Sequence, residues 1–339
     1  MRCLLCGEES RLRSAALPGY QQGRTYQIHE CTVCEASFAV PHASDRKVYE
    51  HIYRNIEKVP GYNRYHGYCL RIGQEPSPLD YLSHQEESYW AVIERLRAMR
   101  RRRDVLKVLE VGCGLGYFTY ALIREGYDAI GLDVATQAVQ AAIARYGNHY
   151  VCSDLQEYGK DARETFDVLI LNQMIEHVPD VHGLFRSAMQ LTRSGGEIIV
   201  TTPSKSYAPG EIWQTELPPV HLWWFSEKSL ARIGDMHGMA VEFVDFAPFY
   251  ATYYRRYATN KGTVEQESIL NSNGNVAKES SNNGLLQHLK KKLSGSDSIL
   301  GLYRSVRDGF SGRGRYTASR GPDCCAIFKK RNDIATMSQ

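Results

Sequence analysis

The stretch LEVGCGLGYF, residues 109–118, constrains the fold of this chain more than any other. It runs from an apolar segment into a helical pattern through Gly112, Gly114 and Gly116, and glycines at such a turn let the backbone approach a ligand closely. Apolar runs near 107–111, 128–133, 149–152, 166–171, 196–201, 240–246 and 324–329 are separated, for the most part, by segments of helical period. That alternation predicts an α/β fold with a seven-stranded, mostly parallel sheet covered by helices on both faces.

A second feature sets the N-terminus apart. Cys3 and Cys6 form one CxxC pair and Cys31 and Cys34 another. The first 40 residues are too polar to bury a core unaided, and four thiolates without an open position describe a structural Zn2+ site. Residues 1–40 are thus expected to form a zinc-ribbon-like module, 41–103 a connector and helical cap, 104–249 the main core, 250–322 a partly disordered insertion or cap, and 323–339 the last core strand and tail. Nine cysteines, an odd number, suit a reducing cytoplasm better than a disulfide framework. The net charge of +3 gives no field of the kind a dedicated nucleic-acid binder carries. No apolar run is long enough for a membrane span, and the N-terminus lacks the apolar stretch of a secretion signal, so a soluble cytoplasmic protein is expected.

The glycine turn does not spell a dinucleotide fingerprint. GxGxxG would place its third glycine at 117, where this chain has Tyr117. Glu110, two residues before Gly112, offers a carboxylate where S-adenosylmethionine (SAM) presents a cationic ammonium. Asp133 closes the second core strand, where a carboxylate can accept both ribose hydroxyls. Asp154 and Leu155, after the third strand, stand where an acceptor and an apolar side chain meet an adenine, with a helix N-cap as the alternative for Asp154. These positions, with Gly112, Gly114 and Gly116, make up the expected cofactor site.

LEVGCGLG, GLDV, CSDL, FDVLILNQMIEHVPD and RSGGEIIVTTP together resemble the successive motifs of class I SAM-dependent methyltransferases, in particular ubiquinone-biosynthesis O-methyltransferases. The resemblance covers about 105–247 and implies a Rossmann-like sheet; it also implies that Asn172 touches the methionine half of SAM. The CxxC pairs, VYEHIY and PPVHLWWFS are similar, less specifically, to methyltransferases of glycan and natural-product biosynthesis. His177 and His221 follow strand ends at the carboxyl edge of the sheet and are the candidate bases, each with a structural role as the alternative. Trp213, Trp223, Trp224 and Tyr250 are candidate walls for a ring, with a buried core role for any one of them as an equal alternative. The expected activity is O-methylation of a small hydroxylated acceptor, such as a sugar or nucleotide-linked glycan. An RNA methyltransferase and a zinc-ribbon interaction protein with an inactive methyltransferase fold remain as alternatives.

Overall fold

The computed structural model describes residues 1–59, 61–102, 105–160, 165–207, 217–257, 268–275 and 321–330, with side chains given except at 254–257. Within 250–322, residues 258–267 and 276–320 lie outside these, among them the basic LLQHLKKKL and most of the Ser/Asn-rich run from about 270 to 283, and Trp213 lies outside as well.

The N-terminal residues form a small antiparallel sheet, β1 (Ser10–Pro18), β2 (Thr25–Cys31) and β3 (Ser37–Val40). Helices α1 (Arg46–Arg54), α2 (Asn63–Arg71), α3 (Pro78–Ser83) and α4 (Glu87–Arg100) lead into the core. There the chain alternates: β4 (Lys107–Val111), α5 (Tyr117–Arg124), β5 (Asp128–Asp133), α6 (Thr136–Tyr146), β6 (Tyr150–Cys152), α7 (Leu155–Tyr158), β7 (Phe166–Asn172), α8 (Val181–Leu191) and β8 (Thr192–Pro203). After β9 (Trp223–Trp224) come α9 (Glu227–Met236), β10 (Met239–Phe243), α10 (Ala247–Tyr257) and β11 (Asp323–Lys330).

Seven strands form the main sheet in the order β10-β11-β8-β7-β4-β5-β6. The central strands pair in parallel, and β11 runs antiparallel to both β8 and β10. The expected Rossmann-like sheet is therefore present, with strands where the apolar runs predicted them. β7 is buried from Phe166 to Leu171, which is why its sequence reads as a continuous apolar run rather than an alternating one. The strand order reverses between β4 and β7, and β4 lies at that switch, where open sheets of this kind leave a crevice at the carboxyl ends.

The short strand β9 belongs to the other sheet. It extends the N-terminal sheet as its fourth strand, pairing Ser37 with Trp224 and Phe38 with Trp223. One buried cluster accordingly runs from Cys3, Cys31 and Cys34 through Phe38 and Trp223 to Leu171 and Val200 of the main sheet. Lys205 ties the two parts as well: its ammonium donates to Glu30 Oε2 at 2.7 Å and to the Glu35 carbonyl at 2.5 Å. The described part of the insertion also docks on this module, with Leu270 N–H donating to the Tyr20 carbonyl and Gln22 N–H to the Leu270 carbonyl.

Candidate functional site

A cavity of about 1040 Å³ opens at the carboxyl ends of β4, β5 and β7. Its floor is the glycine turn. Gly112, Gly114 and Gly116 all have positive φ, at 78°, 51° and 76°, a region that side-chain-bearing residues adopt only at a cost. A Cβ on Gly112 would lie 2.8 Å from Met174 Cγ, and one on Gly116 2.6 Å from Ala142 Cβ, so the turn needs glycine for space too. Gly116 sits at the N-cap of α5.

Around this floor stand the acidic residues anticipated from sequence. Glu110 is buried and accepts from the Thr119 hydroxyl, and burial pushes its carboxyl up to about 8. Asp133 takes the Gly114 N–H on Oδ2 and the Ala135 N–H on Oδ1, each at 2.8 Å. Burial still raises its pKa, outweighing those two bonds. Asp154 lines the cavity but also caps α7, accepting from Glu157 N–H at 2.8 Å, so the capping alternative holds alongside any ligand role. Leu155 is buried beside it, and Asn172 ends β7 with its Oδ1 bonded to the Thr201 hydroxyl at 2.6 Å; both line the cavity.

At the other end the structure brings His177 and His221 together, with ring centroids 4.6 Å apart and planes at 88°. His177 lies in a 3-10 turn, Ile175–His177, that also carries the buried Glu176. Its Nδ1 is 2.7 Å from the Val220 carbonyl, which makes Nδ1 the protonated nitrogen. Nε2 then carries the lone pair, 3.8 Å from Glu176 Oε1. Burial lowers the pKa of His177; for His221 burial and then its neighbour His177 lower it further. Both rings are neutral near pH 7. A carboxylate oxygen of Glu176 and one nitrogen from each histidine lie within 4.8 Å of one another, a donor set that would also suit a divalent cation.

Of the two roles open to the aromatics, the structure gives Trp223 and Trp224 the core one. Trp223 and Trp224 are 2% and 1% exposed, buried because β9 is a sheet strand between two layers. Tyr250 spends its hydroxyl on Glu87. The cavity is walled instead by tyrosines from the N-terminal third, Tyr20, Tyr49, Tyr53, Tyr62 and Tyr65. The signal for two of them was present in VYEHIYR: Tyr49 and Tyr53 are four residues apart, on one face of a helix. The cations among the described cavity residues, Arg46 and Arg64, are ion-paired with Glu50 and Glu86.

The four N-terminal cysteines converge. Cys3 and Cys34 Sγ are 3.8 Å apart and Cys6 and Cys31 Sγ 3.5 Å, and all four sulfurs lie within 4.8 Å of one another. Zn–S bonds of about 2.3 Å in a tetrahedron imply sulfur separations of about 3.8 Å. Backbone N–H groups of Leu5, Val33 and Cys34 point at Cys3 and Cys31 Sγ, as in knuckles that hold thiolates.

Residues 81–242 match a family described as a methyltransferase domain. The mitochondrial ubiquinone biosynthesis O-methyltransferase of Homo sapiens is 29% identical over 158 residues, 41% of this chain and 42% of that protein. The ubiquinone biosynthesis O-methyltransferase of Aliivibrio fischeri is 32% identical over 105 residues, 30% of this chain and 45% of that one. The chain thus spans less than half the length of these curated relatives. Among solved structures, a SAM-dependent methyltransferase from Archaeoglobus fulgidus aligns with 70% of this chain and 94% of its own, at 18% identity and a TM-score of 0.41. Sheet order, glycine turn and family match together make residues 81–242 a methyltransferase domain of the class I SAM-dependent kind.

Proposed function

We propose that the chain methylates a hydroxyl of a small, uncharged acceptor at the expense of SAM, with His177 as the base. The observation that carries this reading is the pairing of two ends in one cavity. A glycine turn flanked by Glu110 and Asp133 faces a neutral imidazole whose Nδ1 is tied to the Val220 carbonyl.

The residues fit SAM by their chemistry. Glu110 is a buried carboxyl without a cationic neighbour in its immediate bonding, and an ammonium would displace its proton and pair with the carboxylate; Asp133 retains lone pairs for a ribose diol. Asn172 is the proposed contact for the methionine half, with Asp154 and Leu155 toward the adenine. Bound SAM supplies an electrophilic methyl group on a sulfonium. The chain then has to align the acceptor and remove one proton. His177 Nε2 takes the hydroxyl proton as the oxygen forms its bond to carbon, and the Val220 carbonyl stabilises the resulting imidazolium through Nδ1–H. His221 packs edge-on against that ring and fixes its plane.

Two observations narrow the acceptor. A phosphate or carboxylate near the reacting hydroxyl would meet Glu176 with no unpaired cation among the described cavity residues, so the buried part of the acceptor is neutral. The tyrosine walls suit a ring, a sugar intermediate being the reading favoured here. The names of the ubiquinone-biosynthesis relatives support oxygen as the methylated atom. A second reading puts a divalent cation on Glu176, His177 and His221 to lower the pKa of the hydroxyl.

Four outcomes are expected. Asp133→Ala should weaken SAM binding about ten- to a hundredfold in calorimetry, the loss of a charge-assisted hydrogen bond of about 1.5–3 kcal/mol; unchanged affinity would remove Asp133 from the site. His177→Ala should lower kcat by about 10²- to 10⁴-fold with SAM affinity intact. In the wild type, kcat should hold as pH falls and drop only below the usual 6.5, because burial keeps His177 neutral to lower pH. A loss under threefold would discard the base, and activity lost to EDTA while the zinc on the four cysteines is retained, then restored by a divalent ion, would favour the cation reading. Elemental analysis of protein purified without added metal should find one zinc per chain on Cys3, Cys6, Cys31 and Cys34, and a folded, metal-free N-terminus would contradict that assignment.

A further inference from the structure

Helix α1 is built into the cysteine module. Its N-cap Asp45 pairs with Arg24 at the end of the β1–β2 hairpin, and its Val48 and Ile52 pack with Leu17, Tyr26 and Ile28 of that module. About 100° around the same helix, the face bearing Tyr49 and Tyr53 turns to the cavity. Tyr49 donates its hydroxyl to the Val220 carbonyl at 3.0 Å. The Tyr53 hydroxyl stands over the glycine turn, 3.3 Å from where a Cβ on Gly114 would be. A molecule seated on that turn therefore lies beneath a ring carried by the N-terminal module.

We propose that Tyr53 closes the SAM site as part of the module, so that metal on the four cysteines and SAM on the glycine turn bind with positive coupling. The proposal rests on the SAM and zinc readings above and goes beyond them by linking the two sites. Without its metal, the turn carrying Cys3 and Cys6 ahead of β1 is no longer tied to the β2–β3 turn carrying Cys31 and Cys34, and the strands whose Leu17, Tyr26 and Ile28 seat α1 lose that constraint. Tyr53 then no longer has a fixed position over Gly114. Coupling of this kind is reciprocal: whatever factor zinc adds to SAM affinity, SAM adds to zinc affinity.

The test uses the full chain and S-adenosylhomocysteine as the probe. Calorimetry of zinc-loaded and zinc-stripped protein should show the probe binding at least about fivefold more weakly to the stripped form, within the usual range of coupling between sites. A chromogenic chelator competing for the metal should report zinc affinity raised by that same factor when the probe is present. Tyr53→Ala should weaken probe binding and abolish the coupling while keeping its zinc. Ile52→Ala, which loosens α1 with every cysteine intact, should reduce the coupling and keeps the question open to measurement if stripped protein does not stay folded. Equal probe affinity with and without zinc, or a Tyr53→Ala variant that binds and couples like wild type, would overturn the proposal. Absence of zinc by elemental analysis, or of probe binding by loaded protein, would overturn the reading of that site and the coupling with it.

Discussion

Everything at the acceptor end of the cavity hangs on one short strand. Trp223 and Trp224 extend the N-terminal sheet through β3, while Leu222 just before them donates to the Glu176 carbonyl at 2.8 Å and accepts from Ala39 N–H at 3.0 Å. Trp223 Nε1 bonds the Val178 carbonyl at 2.9 Å. The segment is thus a hydrogen-bonded bridge between the cysteine module and the turn that carries Glu176 and His177. His221 leads into it, and Val220, whose carbonyl sets the tautomer of His177, precedes it. Two nearly fully buried indoles make that bridge costly to displace, since deleting such a side chain leaves a cavity worth about 3–5 kcal/mol.

Much of this architecture could be read before any coordinates. The strand predicted over 128–133 is β5 to the residue, because Asp128 and Asp133 bound an apolar run with no competing period. The glycine turn was recognisable because three glycines after a strand have few other uses, and all three do take positive φ. What escaped was non-local. A two-residue strand has no period of its own, so β9 exists only because β3, nearly two hundred residues earlier, offers it an edge. That pairing buries Trp223 and Trp224 and leaves the cavity walls to tyrosines of the N-terminal module and the connector. For Tyr49 and Tyr53 the helical spacing was visible, yet nothing in it told which face meets the cavity. Asp154 shows a different limit, since one side chain satisfies both a helix cap and a position at the cavity rim.

The electrostatics of the cavity run from one buried carboxylate to another. Glu110 sits under the glycine turn with Thr119 as its hydrogen-bond partner, and its burial is unfavourable to charge; the raised pKa means that folding favours the protonated acid, and that this contribution is lost as pH rises through about 8. The fold by itself gains nothing from placing an acid there. A cationic ligand does gain, because it can recover the ionised form in a site of low dielectric. At the far end a second buried acid, Glu176, lies beside two neutral imidazoles.

Proton release on SAM binding tests this account most directly. Near pH 7 the Glu110 carboxyl is mostly protonated in the free protein, and an ammonium set against it should drive the proton off. Calorimetric titrations with SAM in buffers of different ionisation enthalpy should therefore show release of close to one proton per chain at pH 7, and Glu110→Gln should abolish that release while weakening binding. Binding without proton release, or release that persists in Glu110→Gln, would contradict the assignment of the glycine turn and its carboxylate to SAM.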